Sequence, residues 1–399
     1  MNAAPAAGAE PAAALRWSLL FGNFAIGCGV MVTAGSLNDL TRSLQVSVAV
    51  GGQLITIAAV VMALGAPLLA AVVGGWDRRR LLTLSLAWYA LGHGLSALMP
   101  SYASLILVRA ACVLAAAVFT PQAAASIAWL AAPAARGRAI TFIFLGWSVA
   151  SVLGMPLHSF IGETFGWRYA FGTVGVLAAI AAAWVWHEVP DGVRPPAMSL
   201  RSWQAVFSHP ALMAVVLVTA LAAAGQFTVF AYFAPYYRQV LGASSAETSL
   251  LFGWFGAFGL LGNLLLSRHV DRFGASRAVA LAVALMAVSM LLWPLAASVP
   301  LMALVIMPWA LGCFSCNSAQ QARLGQAAPA WAPALMALNS SAIYLGQAVG
   351  AAGGGALVAA HSGETGAAAF GSFHRVGFAW LIAALALSAW ASRRLHRHD

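Results

Sequence analysis

Gly137-Arg-Ala-Ile-Thr-Phe-Ile-Phe-Leu-Gly-Trp-Ser-Val-Ala-Ser-Val-Leu-Gly-Met-Pro-Leu-His-Ser-Phe-Ile-Gly-Glu-Thr-Phe-Gly-Trp-Arg-Tyr-Ala-Phe171 carries no formal charge between Arg138 and Glu163. One crossing of a bilayer core needs about 20 apolar residues, and this stretch supplies them. Within it Gly146, Ala150 and Gly154 recur every fourth residue and draw a narrow stripe of small side chains down one face. Such a stripe lets a second helix approach closely where lipid offers no hydrophobic drive for association, although a stripe alone also serves passive packing. Pro156 is expected to interrupt the helix near its outer end.

The rest of the chain has the same character. It is 62% hydrophobic and 8% charged, which excludes a soluble globular surface and fits a polytopic membrane protein. A net charge of +10 raises the question of nucleic acid, but the basic residues are all arginine and sit in short turns between apolar runs. No nucleic-acid partner is therefore expected. Twelve spans can be drawn, at about 17–38, 47–73, 81–98, 103–130, 139–161, 169–186, 211–236, 248–267, 278–297, 300–322, 333–358 and 375–391. With the N-terminus inside, the outer connections hold only Arg42, Arg168, Arg238 and Arg375. Every other arginine except Arg109 falls on the cytoplasmic side, which places both termini in the cytoplasm. The expected fold is an all-α membrane protein, twelve transmembrane helices in two six-helix, pseudo-symmetric bundles.

The longest polar connection, His187 to His209, contains Pro190-Asp-Gly and Arg194-Pro-Pro and separates six spans from six. The organisation read from this is a disordered cytoplasmic tail (1–16), an N-terminal bundle (17–188), a central cytoplasmic loop (189–209), a C-terminal bundle (210–392) and a basic tail (393–399). The halves repeat. Trp76-Asp-Arg-Arg-Arg80 follows the second span, and Arg268-His-Val-Asp-Arg-Phe-Gly274 follows the eighth. Small-residue stripes also pair: Gly253, Gly256, Gly259 and Gly262 lie in the eighth span, and Gly346, Gly350 and Gly354 in the eleventh.

These features together resemble the major facilitator superfamily of transporters. The fifth span, with its Arg-Gly-Arg start, glycine stripe, Gly154-Met-Pro-Leu and closing Phe-Gly-Trp-Arg-Tyr-Ala-Phe, resembles the efflux type that carries the antiporter motif. Segments Ala66-Pro-Leu-Leu-Ala70, Ala337-Leu-Asn-Ser-Ser341 and Gly166-Trp-Arg-Tyr-Ala-Phe171 look most like the arabinose/purine-nucleoside efflux branch of the drug:proton antiporters. The loop repeat is similar to the superfamily signature Gly-x-x-x-Asp-Arg-x-Gly-Arg-Lys. Its second copy keeps Asp271, Arg272 and Gly274. In the first, Asp77 and Arg78 follow Gly74 and Gly75, and Asp77 stands where glycine is usual. The resemblance implies that these loops gate the cytoplasmic side, and that the fifth helix meets the eighth and the second meets the eleventh across a two-fold axis. Positive-inside topology alone would also account for the loops' charges.

No enzyme motif is present: no metal-spaced cluster, no Gly-x-Ser-x-Gly and no phosphate-binding loop, so neither catalysis nor a cofactor or metal is expected. Cys313-Phe-Ser-Cys316 has redox spacing without a βαβ context, and together with Cys28 and Cys112 it reads as buried structural cysteine. The candidates for function are polar groups inside the membrane, where an ionisable side chain costs about 2.5–3.5 kcal/mol on insertion scales. Arg109 matches the arginine of the family's fourth-helix motif, and Asp39 ends the first span. Read functionally they form a proton-sensitive pair; read structurally, Arg109 snorkels and Asp39 is a helix-end carboxylate. His158 continues the glycine spacing and is either a satisfied interface histidine or a third proton-coupling candidate. His93 is expected to face lipid, because the third helix is peripheral in the resembled fold.

No carboxylate reaches the middle of a span, so a multiply charged cation is a poor substrate. Neutral polar candidates for a solute cavity lie on the spans that line it in the resembled fold: Asn23, Thr120, Gln122, Gln226, Tyr232, Asn317 and Gln320, with Phe230 and Trp309 available to stack on a ring. The reading is a monomeric secondary active transporter of a bacterial inner membrane. It would export a small neutral or weakly charged solute in exchange for protons by alternating access. The alternatives are an uncoupled facilitator or importer, and a non-transporting membrane sensor on the same scaffold.

Overall fold

A computed structural model describes residues 12–46, 48–194, 200–361 and 363–395. Among them, twelve helices are long and apolar enough to cross a membrane. In chain order they are α1 (Ala13–Gly35), α2 (Val48–Val73), α3 (Arg78–Leu98), α4 (Tyr102–Leu130), α5 (Arg136–Val149, continued by Ala150–Gly154 and Met155–Phe165) and α6 (Trp167–Glu188). A second set of six follows: α7 (Pro210–Phe230), α8 (Ser245–Phe273), α9 (Ala275–Leu292), α10 (Val299–Ala327), α11 (Ala332–Ala360) and α12 (Phe373–Leu395). Long apolar helices are the expected solution, because in hydrocarbon every backbone N–H and C=O must find its partner within the segment.

The sequence places these ends imperfectly, for identifiable reasons. On the arginine-rich side the helices run past the apolar stretch: α3 begins at Arg78, α8 continues to Phe273, and α10 includes Arg323. Arginine is a good helix former whose stem lies along apolar surface, so charge there ends the span but not the helix. On the other side, α1 and α7 stop early and are followed by short helices at matching places, Leu37–Ser43 and Phe233–Gln239. Asp39 therefore lies beyond the first span and not within it.

The expected tail 1–16 is helical from Ala13, and residues 1–11 lie outside the described residues. The central loop contains the helix Leu200–Ser208, with 195–199 outside the described residues. Of the basic tail, 393–395 are helical and 396–399 lie outside.

Two compact units are formed: residues 1–204 with 328–341, and residues 205–327 with 342–399. In the first unit α1 packs on α5 and α6, α3 on α4 and α6, and α2 on α4. In the second unit α7 packs on α12, α9 on α10 and α12, and α8 on α10, so the six-helix repeat reappears in the packing.

The glycines show why each pairing can be so close. A Cβ on Gly146 would run into the carbonyl oxygen of Leu20 and come within 2.7 Å of the Phe24 nitrogen; one on Gly27 would come within 2.7 Å of Ala150. The stripe on α5 is thus filled by α1, where the resemblance implied the eighth helix. Gly346, Gly350 and Gly354 on α11 abut the carbonyls of Ala220, Ala224 and Thr228 on α7 in the same manner. Gly262 on α8 meets Leu311 on α10. Pro156 does not break α5. It follows a π-helical turn over Ala150–Gly154, where one residue too many is wound in to accommodate the missing N–H.

Candidate functional site

The first unit contains an ionised side chain held deep among its helices. Arg109 on α4 is 1% exposed, and its Nη2 donates to the carbonyl of Gly29 on α1 at 2.8 Å. Its Nη1 lies 3.1 Å from Nε2 of His93 on α3, and its guanidinium sits 5.8 Å from the Phe171 ring on α6. One arginine thus ties α4 to α1 and α3. Tyr89, one turn before His93, donates its hydroxyl to the Ile26 carbonyl at 3.0 Å, so α3 and α4 both bond the same stretch of α1.

His93 does not face lipid. It is fully buried inside the unit, because α3 packs along α4 and α6 and not merely at their edge. Its tautomer follows from its neighbours. A guanidinium has only donors, so Nε2 must accept, and the proton sits on Nδ1, which donates to the Tyr89 carbonyl at 3.0 Å. The Sγ of Cys112 lies 3.2 Å from the same Nδ1. His93 is therefore held neutral as long as Arg109 occupies this position.

The expected Asp39–Arg109 pair is not formed. Asp39 lies on the short helix Leu37–Ser43, and its Oδ2 accepts from the Trp167 backbone N–H at 2.7 Å. It caps the start of α6, where a carboxylate satisfies an orphan N–H and the positive end of the helix dipole. Gly166, at φ +100°, provides the turn that presents that N–H. Arg168 beside it stacks over Trp167 at 4.4 Å and donates to the Met99 carbonyl at 3.0 Å.

His158 is the fourth residue after the π-turn. It is fully buried, and neither ring nitrogen has a hydrogen-bond partner; only its backbone carbonyl is engaged, by the Ser36 hydroxyl at 3.3 Å.

The solute-cavity candidates divide into engaged and free. Thr120 donates to Asn23 Oδ1 at 3.0 Å and Asn23 donates to the Ile143 carbonyl at 3.2 Å, a clamp that joins α4, α1 and α5. Gln122, fully buried on α4, has neither amide atom bonded. In the second unit Gln320 donates to the Val215 carbonyl and the Thr219 hydroxyl, both at 2.9 Å, and so holds α10 to α7. Its neighbour Gln321, not singled out by the sequence, is fully buried with both amide atoms unpartnered. Gln226 accepts from the Trp309 indole at 3.4 Å, and Tyr232 donates to the Ala351 carbonyl at 2.8 Å. Asn317 is half-buried on α10. Trp309 is fully buried in an aromatic cluster with Phe233, Phe255 and Trp293 and so offers no open stacking face, whereas Phe230, which joins the cluster through Phe233 and Phe255, is half-buried.

The two loop copies differ as their sequences do. Asp77 caps α3 by accepting from the Arg80 N–H at 3.1 Å, and its other oxygen accepts from the Gly192 N–H at 2.8 Å. The backbone N–H of Arg78 donates to Val193 at 3.0 Å, and its buried guanidinium returns to the Gly74 carbonyl. The segment after α6 is thereby pinned to the start of α3. In the second copy Asp271 accepts from the Gln326 amide at 3.4 Å, Arg272 is exposed, and Gly274 at φ +90° makes a turn that Asp77 replaces with ordinary extended backbone and a side-chain cap. Arg323 on α10, which sequence reasoning counted only as topology, is 3% exposed and donates to Ser388 and Ser392 on α12. Among the described residues no three His, Cys, Asp or Glu side chains gather as a metal site.

The chain matches the Major Facilitator Superfamily model over residues 19–351 and 215–398. It is 27% identical over 339 residues to YbcL of Bacillus subtilis (strain 168), described as an uncharacterized MFS-type transporter, covering 84% of this chain and 86% of that one. It is 28% identical over 347 residues to the inner membrane transport protein YdhP of Escherichia coli (strain K12), covering 87% and 89%. Among solved structures it resembles the MFS proton:xylose symporter XylE bound to 6-bromo-6-deoxy-D-glucose, with a TM-score of 0.73, 17% identity and coverage of 92% and 94%. It also resembles the human organic anion transporter MFSD10, with a TM-score of 0.72, 18% identity and coverage of 94% and 98%. At these identities the solved structures speak for the fold alone.

Proposed function

The chain belongs to the major facilitator superfamily, multi-pass membrane proteins that carry solutes and do not transform them, and from that premise we propose a proton-coupled exporter of a small neutral or weakly charged solute. The observation that carries this reading is Arg109, an obligatory cation buried among α1, α3 and α4 with histidine and backbone carbonyls as partners. Burying such a group is costly, which makes it a functional site by default, and Nε2 of His93 can accept from it only while that nitrogen is unprotonated.

Export, and not import, rests on the likeness of the fifth span to the antiporter type; YdhP, a relative of similar length, carries the name of an inner membrane transport protein. That name supports the same location here, with both termini in the cytoplasm as the arginine distribution implies. The free amide of Gln122 in the first unit suits a solute with hydroxyl or amide groups, such as a pentose or purine nucleoside of the branch the sequence resembles. Protons entering and solute leaving would pass in alternation, by differential binding in two states.

The test is flux in proteoliposomes loaded with labelled pentoses and purine nucleosides, with and without an imposed pH difference. Accumulation against a gradient only when protons can run the other way supports the exporter. Gradient-insensitive equilibration of the same labelled solutes favours the uncoupled facilitator, and accumulation in the direction of proton flow favours an importer.

A further inference from the structure

We propose that His158 is the residue that binds the coupling proton, in a seam between α1 and the outer segment of α5. This rests on the proton-coupled reading above and names its site. The small residues of α5 meet α1 in register: Gly154 faces Cys28 and Gly162 faces Ser36. His158 stands midway between them, so its side chain enters the seam between those two contacts. There α1 carries Thr33, whose hydroxyl is also buried without a partner. An imidazole with neither nitrogen bonded loses the hydration of both, a cost that a purely structural residue would avoid. Any apolar side chain of similar volume would fill the space without it.

The groups around the seam define what protonation would do. The segment Met155–Phe165 packs on α1, on the short helix Leu37–Ser43 and on α6, whose titratable and charged side chains toward this end are Cys28, Asp39, Arg42, Arg168 and Tyr169, and Glu163 lies on the segment itself. The Asp39 carboxylate is committed to the Trp167 N–H, and Arg168 to Met99 and Trp167. A protonated His158 would place a positive charge inside the α1–α5 contact, where neither ring nitrogen has an acceptor, and that favours separation of the two helices. Loss of the proton favours the close packing seen here.

The geometry of α5 suits such a motion. Residues Met155–Phe165 are joined to the rest of the helix through the π-turn and Pro156, where the hydrogen-bond ladder is weakest. His158 lies seven residues before the end of that segment, about 10 Å along the axis, so a proton from the outer side has roughly two turns to cross.

Proton binding can be counted without any solute, so the outcome is independent of the flux assay. Purified protein in detergent is acidified from about pH 8 to about pH 3.5, a window that covers the ordinary histidine range and extends below it, and uptake is read with a pH-indicator dye. The wild type should take up about one proton per chain more than His158→Gln, whereas His93→Gln should lower uptake little, since His93 is already held neutral. Histidine-labelled wild-type protein supplies a second reading: the imidazole resonance missing from His158→Gln should pass from neutral to charged shifts on acidification. Equal uptake by wild type and His158→Gln, or a His158 resonance that stays neutral throughout, overturns the inference. If uptake follows the expected pattern while wild-type flux ignores the pH difference, the exporter reading fails and the proton site stands.

Discussion

Replacing Gly146 by alanine tests the packing on which the first unit is built. The added Cβ would overlap the Leu20 carbonyl and lie 2.7 Å from the Phe24 nitrogen, where ordinary contact begins at 3.4 Å. Both obstacles are backbone of α1, which cannot rotate away as a side chain can, so α1 must retreat by at least about 0.7 Å along this line. Retreat would stretch the nearby clamp in which Asn23 bonds Ile143 and Thr120. Overpacking of a close-packed contact costs about 1–3 kcal/mol, a large part of the roughly 5–15 kcal/mol that holds a typical folded chain together.

Gly253→Ala on α8 is the control, since a Cβ there meets nothing within 4 Å and alanine is the better helix former. Gly154→Ala should fall between, because its nearest obstacle is the movable Sγ of Cys28 at 3.0 Å. Thermal unfolding of the three purified variants, followed by a thiol-reactive dye or by intrinsic fluorescence, should rank them Gly253→Ala above Gly154→Ala above Gly146→Ala. A Gly146→Ala protein as stable as Gly253→Ala would refute the claim that backbone contact sets the α1–α5 spacing.

Asp39→Ala should lower the unfolding temperature by removing a helix cap worth about 0.5–2 kcal/mol, while uphill export survives; loss of coupling at full stability would restore Asp39 to the proton path. Arg109→Lys keeps the charge but not the fork that reaches Gly29 and His93 together, so flux should fall about tenfold or more with insertion unchanged, as expected for a charged hydrogen bond worth about 1.5–3 kcal/mol. Wild-type flux in that variant would show that the bridge is dispensable. Asp77→Asn should speed hydrogen exchange at the Gly192 amide, which loses the shorter of its two carboxylate acceptors and keeps Asp191, and leave the core of α3 protected. Unchanged exchange at Gly192 would mean that the Asp191 carboxylate and the Arg78–Val193 backbone bond suffice to hold that segment.

Much of this protein is legible from composition because a bilayer permits few structures. Apolar runs of sufficient length must be helices, arginines between them report sidedness, and glycines at every fourth position mark a face on which another backbone will lie. What lies on that face was not legible. The Gly146–Ala150–Gly154 stripe is taken by α1, because the register of Gly27 against Ala150 and of Leu20 against Gly146 depends on two helices far apart in the chain. Nor does a span that is apolar all round say which side is lipid: His93 looked peripheral yet bonds Arg109, and Trp309 looked free to stack yet is core.

Sequence alone determined the number of spans and the scarcity of acid within them, since each follows from local composition. Only the tertiary structure decided that Asp39 caps α6 while Arg109 takes a histidine and carbonyls, and that His158 is enclosed without a partner. Hydrogen-bond partners are chosen by distance in space, and no spacing along a helix encodes which carbonyl of another helix will stand within 3 Å.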